Sequence, residues 1–233
     1  MKYLALFFTL FINLNALPQN QSTTNDTLSL LFIGDIMGHD SQILSAYNPA
    51  TGTYNYNDVF REIAPVIRQH DYGIANLEVV LGGKPYKGYP QFSSPDELAV
   101  ACKNNGINVL VTANNHSCDK GKTGVQRTVK VLDSLDILHT GTFKHKKERT
   151  EKNLLILSQN DLQVGLLNYT YGTNGLPTPK PTFVNRIDTS LMVADIKASK
   201  KANLDKLIVF LHWGTQYESH PNSSQEKLAK FLF

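Results

Sequence analysis

Apolar runs alternate along the chain with segments whose apolar residues recur every three or four positions, so strands are predicted to alternate with helices. In the run INVLVTA at 107–113 only Asn108 and Ala113 are neither β-branched nor leucine. Such weak alternation reads as a strand covered on both faces. Residues 28–33, 72–77 and 207–211 read as further apolar strands, and 137–141 as a short one. Within 57–69, Phe60, Ile63, Ala64 and Ile67 fall at i, i+3, i+4 and i+7, a helix with one buried face that Pro65 should break. Ser94 as cap and Pro95 as first helical residue open a helix through Leu98 and Cys102 that stops at Gly106. Val125, Val129 and Leu132 share one face of a helix over 124–136, and another helix passes through 194–198. A hairpin joins 154–157 to 162–169 around Gln159-Asn160-Asp161. Loops are expected at 79–94, beside the strand ends, and at 170–181. The basic run 144–152 has no apolar face and reads as a solvated connection. The alternation implies one α/β domain with right-handed crossovers and an added hairpin.

Composition narrows this only a little. A net charge of +3 provides no electrostatic footprint for nucleic acid, so no nucleic-acid partner is expected. Cys102 and Cys118 cannot form a disulfide framework; one bridge and two buried thiols both stay open. The N-terminus changes the picture more. Lys2 is followed by an apolar run at 3–14, too short for the roughly 20 residues of a bilayer span, and then by the small Ala16. We read 1–16 as a signal peptide, 17–27 as a polar linker and 28–233 as the domain. Export to the periplasm or the extracellular space follows. An uncleaved N-terminal anchor is the alternative, and it is the one membrane contact expected.

Candidate chemistry sits where the strands stop. The first apolar strand ends at Asp35, the second at Glu78, the third at Asn115 and His116, the fourth at His212. Any one of these has a dull explanation, because polar residues normally end strands. Parallel strands, however, would bring all of them to one rim, where open α/β sheets bind ligands. Carboxylate, carboxamide and imidazole without thiolate are donors for hard or borderline divalent cations. Together they point to a metal site.

The motifs then show a likeness. Gly34-Asp35-Ile36-Met37, Asn76-Leu77-Glu78, Ala113-Asn114-Asn115-His116 with Asp119 and Gly121, and His212-Trp213-Gly214 with Tyr217 resemble the CapA family of capsule and poly-gamma-glutamate synthesis proteins. The resemblance spans nearly all of 28–233. It implies a calcineurin-like metallophosphatase fold, a four-layer α/β/β/α sandwich, with the hairpin in a second sheet. It also implies Asp35, Glu78, Asn115 and His212 as metal ligands, Glu78 in the bridging place. His116 becomes the catalytic residue that holds a proton or stabilises a leaving group. Asn76, His39 and Asp119 are implied as supporting or substrate-facing groups, although Asp119 reads equally as the cap of the following helix. Two divalent ions are implied, with manganese, iron, zinc and magnesium not distinguished.

Two departures stand out. Metallophosphatases carry Asp-x-His, and here Met37 occupies the histidine position, leaving His39 as a substitute. The family continues into a Gly-His-x-x-His segment, whereas this sequence stops at Phe233 within an amphipathic helix begun after Asn222. A C-terminally incomplete domain is therefore expected. Two functions follow from the resemblance: an exported accessory protein that handles an anionic cell-surface polymer, or a metal-dependent phosphoesterase acting on a phosphoester substrate.

Overall fold

The computed structural model describes residues 27–233, so the expected leader and all but the last residue of the linker lie outside the described residues. The elements in order are β1 (Leu30–Ile36), α1 (Asp40–Ala46), the small hairpin β2 (Tyr47–Asn48) and β3 (Thr53–Tyr54), α2 (Ala64–Ile67), β4 (Tyr72–Leu77), α3 (Glu97–Asn104) and β5 (Ile107–Val111). Then come α4 (Gly121–Ser134), β6 (Leu138–Thr140), β7 (Thr142–Phe143), α5 (Lys146–Lys152), β8 (Leu155–Gln159) and β9 (Leu162–Thr170). The last are β10 (Phe183–Val184), α6 (Thr189–Ser199), β11 (Lys206–His212) and α7 (Ser223–Leu232).

Two sheets carry the architecture. β1, β4, β5 and β6 form a parallel sheet in the order β1-β4-β5-β6, and the second sheet has the order β11-β9-β8. β11 runs parallel to β9, while β8 and β9 form the antiparallel hairpin. Period-two alternation sorts the side chains into layers. Ile74, Val109 and Val111 of the first sheet meet Leu157, Leu166, Ile208 and Phe210 of the second. The opposite face of the first sheet, with Ala75, Leu77 and Leu110, packs on Phe60, Leu98, Cys102 and Leu132 of the helical side. Leu167 and Tyr169 turn outward from the second sheet onto Met192 of α6 and Leu228 and Leu232 of α7. The result is helix, sheet, sheet, helix.

The single rim read from the sequence is thus divided between two sheets, since β11 pairs with β9 and not with the β1-β4-β5 group. A one-residue bulge in β1 compensates. Phe32 pairs with Ile74, yet Asp35 pairs with Asn76, so three steps on β1 match two on β4. Without the extra residue Asp35 would follow Leu31 and Ile33 onto the helical core; with it, Asp35 shares the inter-sheet side with Asn76. Glu78 lies two beyond Asn76, and His212 two beyond Phe210, on the same inter-sheet parity. Alternation, corrected by the bulge in β1, therefore aims four polar groups into one gap.

Other expectations are corrected. Pro65 does divide its segment, into a 3-10 turn at Asn57–Phe60 and the short α2. The helix expected from Pro95 begins at Glu97 with Asp96 at its N-cap, and the Ser94 hydroxyl is buried without a partner. The basic run is not a solvated connection: it forms α5, with Glu148 buried. Arg149 reaches Asp195 on α6 at 2.5 Å, and the Tyr169 hydroxyl donates to the same carboxylate at 2.7 Å. Charge pairing across elements gives that run its inner face. Cys102 and Cys118 are both free, buried thiols. Among the described residues no helix is long and apolar enough to cross a membrane.

Candidate metal centre

Asp35, Glu78 and His212 each present a ligand atom within 4.8 Å of the others. His212 Nε2 stands 3.8 Å from Glu78 Oε1. Asn76, fully buried, ties the group together: its Nδ2 donates to Asp35 Oδ1 at 2.9 Å and faces His212 Nδ1 at 3.3 Å. Because an amide N–H can only donate, His212 Nδ1 accepts and Nε2 carries the proton. That proton goes to Asn115 Oδ1, 2.8 Å away. Asn114 locks the amide of Asn76, donating from Nδ2 to Asn76 Oδ1 at 3.0 Å and to the Leu77 carbonyl at 2.8 Å. The Tyr171 ring stacks on His212 with centroids 6.0 Å apart and an interplanar angle of 19°. Asn76→Ala should therefore weaken manganese binding by roughly 10–100-fold, as loss of groups that orient ligands does. Titration followed by the EPR signal of free manganese checks this.

The electrostatics fit a cation. Burial, then a hydrogen bond to Asp35 and the charges of Asp35 and Asp119, push the Glu78 carboxyl up to about 8. A proton on Glu78 thus offsets the repulsion between two neighbouring acids, the task a divalent cation performs with twice the charge. Burial pushes His212 below the usual histidine range, which keeps it neutral. Holding an ion at Nε2 would require that nitrogen to give up its hydrogen bond to Asn115. Two carboxylates, an imidazole and the Asn115 carboxamide suit a hard or borderline ion. Since Glu78 is mostly protonated at pH 7, metal binding there should release about one proton, and fewer as pH passes 8. Calorimetric titration in buffers of different ionisation enthalpy reads this number directly.

A second pair faces the same cavity of about 590 Å³. His116 Nδ1 lies 2.7 Å from Asp119 Oδ2, and both side chains are nearly inaccessible. The same Asp119 oxygen accepts the backbone N–H of Phe92 at 2.7 Å. Asp119 is therefore not the cap expected from the sequence: α4 starts at Gly121 with Lys120 at its N-cap. It fixes the imidazole and also anchors the flap 82–92, one wall of the cavity. Phe92 packs edge-on against His116 at 4.6 Å and against His39 at 5.1 Å. His39 lines the cavity and occupies the N-cap of α1, apart from the three-donor group. Asp40, next in the chain, holds the flap, its Oδ1 accepting from Gly88 N at 2.6 Å. That approach needs glycine, because a Cβ on Gly88 would lie 2.4 Å from Asp40 N.

Asp35, Glu78, Asn115, His116, His212 and Asp119 all line this one cavity, with Asn76 beneath its floor. Sequence reasoning missed Phe92 and Tyr171, and it missed the locking role of Asn114. The Asn114-Asn115 doublet was the available signal for the last; aromatic residues in loops gave none for the others.

Comparison with known proteins adds a lineage. The family model described as bacterial capsule synthesis protein PGA_cap matches residues 29–233. The capsule biosynthesis protein CapA of Bacillus anthracis is 29% identical over 221 residues, covering 89% of this chain and 52% of that protein. The PGA biosynthesis protein CapA of Bacillus subtilis (strain 168) is 27% identical over 224 residues, covering 92% of this chain and 56% of that protein. The chain thus spans about half the length of these curated relatives. Among solved structures, the NAD nucleotidase NadN of Haemophilus influenzae superposes with a TM-score of 0.51 at 16% identity, over 81% of this chain and 34% of that one. A putative 5'-nucleotidase from Staphylococcus aureus gives 0.51 at 13% identity, over 88% and 43%. These likenesses establish the calcineurin-like metallophosphatase fold.

Proposed function

This chain belongs to the bacterial capsule synthesis protein family PGA_cap, and from that premise we propose that it serves the synthesis of an anionic cell-surface polymer, capsule or poly-gamma-glutamate. We further propose that it does so through a divalent-metal centre that cleaves a phosphoester. The observation that carries the chemistry is the meeting of Asp35, Glu78 and His212 within 4.8 Å, on a cavity shared with the His116–Asp119 pair. Asp35, Glu78 and His212 would hold the ion, with Asn115 as a neutral oxygen donor, and a second ion is part of the proposal. A bound divalent cation supplies Lewis-acid polarisation and lowers the pKa of water.

The chain's own groups do the rest. Asn76 and Tyr171 fix the plane of His212. Asp119 holds Nδ1 of His116, which leaves Nε2 to exchange a proton with the departing alkoxide. The flap and Phe92 wall this imidazole off from solvent. Export belongs to the same proposal and is supported by the leader-like 1–16, with cleavage near Ala16; sequencing the N-terminus of the secreted protein tests it. The activity is tested on a chromogenic phosphodiester and monoester with manganese, with and without chelator. Turnover that disappears with chelator is expected; a panel of metals and esters without turnover would end the enzymatic reading.

A further inference from the structure

The charge of the cavity wall limits what can enter it. Among the described residues three carboxylates line it (Asp35, Glu78 and Asp119), while no lysine or arginine does. Arg127 is committed elsewhere, to Asp96 at 2.6 and 2.8 Å and to the Leu81 carbonyl. One divalent cation would leave the three carboxylates a net negative charge, and two would leave a single positive one. The carboxylates and ions together can thus neutralise at most one anionic group, and that only with two ions bound. A polymer with a carboxylate on each residue would meet uncompensated repulsion, which costs several kcal/mol for like charges across an interface.

What the rim does offer is uncharged. Gln91, Asn174 and Gln216 present amides, each able to donate and to accept. Tyr89, at the tip of the flap and 69% exposed, lines the opening together with Trp213. Tyr171 has one face already against His212, which leaves Tyr89 and Trp213 at the opening to meet a ligand. Aromatic surface bordered by amides matches a non-planar ring with apolar C–H faces and many hydroxyls.

We propose that the ligand of this cavity is a sugar phosphate: one phosphoryl group at the metal centre and a neutral, polyhydroxylated ring against Tyr89 and the rim amides. This rests on the metal-centre reading above and names its substrate class. It assigns contact with an anionic polymer to another surface.

The test is calorimetry on the manganese-loaded full chain carrying His116→Ala, in which slow turnover leaves the ligand intact. The probes are inorganic phosphate, glucose 1-phosphate, adenosine 5'-monophosphate and γ-linked hexaglutamate. Glucose 1-phosphate should bind roughly tenfold more tightly than inorganic phosphate, about the worth of one aromatic contact. Adding Tyr89→Ala should bring the two to parity without changing manganese affinity, and Tyr89→Phe should restore the difference. Equal affinity for the sugar ester and phosphate would overturn the inference while leaving the metal centre standing. So would preference for the adenosine ester, or hexaglutamate binding that exceeds that of glucose 1-phosphate and falls steeply with salt. Failure of manganese itself to bind would instead remove the metal-centre reading, and this inference with it.

Discussion

Replacing His116 by alanine is expected to lower kcat for phosphoester cleavage by roughly 10²–10⁴-fold, the usual worth of a positioned proton-transfer group. The expectation follows from how the imidazole is held. Nδ1 is bound to Asp119 at 2.7 Å, so only Nε2 is left to work, and Phe92 packs edge-on to keep the ring from turning. The loss should fall on kcat and leave manganese affinity nearly unchanged, because His116 is outside the three-donor group. Asp119→Asn should lower kcat less: an amide oxygen can still accept from both His116 and Phe92 N, but the negative charge that stabilises the protonated ring is gone. A His116→Ala protein with full turnover would remove the residue from the mechanism. Steady-state kinetics with a manganese titration separates these outcomes.

Glu78→Gln should act in opposite directions on binding and on stability. Manganese affinity should fall by more than about a hundredfold, beyond what loss of a supporting group costs, because the substitution removes a ligand carboxylate. Stripped of metal, the same variant should be more stable than the parent at pH 8. The Glu78 carboxyl is pushed up to about 8 in the folded chain, above its value of 4.5 in the unfolded one. Between those values the folded state holds a proton that the unfolded state has lost, so rising pH erodes stability across the window. Glutamine removes that dependence and can still donate to Asp35 as the protonated acid does. Each kcal/mol relieved raises Tm by about 2–4 °C in a domain of this size. The gain should be small at pH 5, grow toward pH 8 and vanish when the parent is loaded with metal. Thermal unfolding across pH, with and without chelator, measures it.

Much of this site could be read from the residues themselves, because period-two alternation fixes where strand residues point. Glu78 and His212 continue the parity of Ile74 and Phe210, so these polar groups at apolar strand ends were visible together, whereas Asn76 entered only through the family resemblance. Asp35 was legible for a weaker reason. Its parity is wrong until the bulge after Phe32 corrects it, and the one local mark of that bulge is Gly34 inside the strand. The division into two sheets could not come from periodicity. β11 is as apolar as β4, and its partner is set by a crossover to β9 that only packing reveals.

Misreadings occurred where a long-range partner overrode a local rule. Asp119 stands before a helix, where a cap is the ordinary role, but Phe92 N–H and His116 compete for its carboxylate. The run 144–152 has no apolar stripe, so nothing local foretold that Arg149 would be buried against Asp195 and over the Phe183 ring. Burial by charge pairing leaves no hydrophobic signature.

Soaking manganese into crystals of the protein and recording anomalous diffraction tests the metal centre most directly. The account predicts a peak among Asp35, Glu78 and His212, absent from Glu78→Gln crystals. A map with no peak there, or with manganese only on surface acids far from His116, would contradict it.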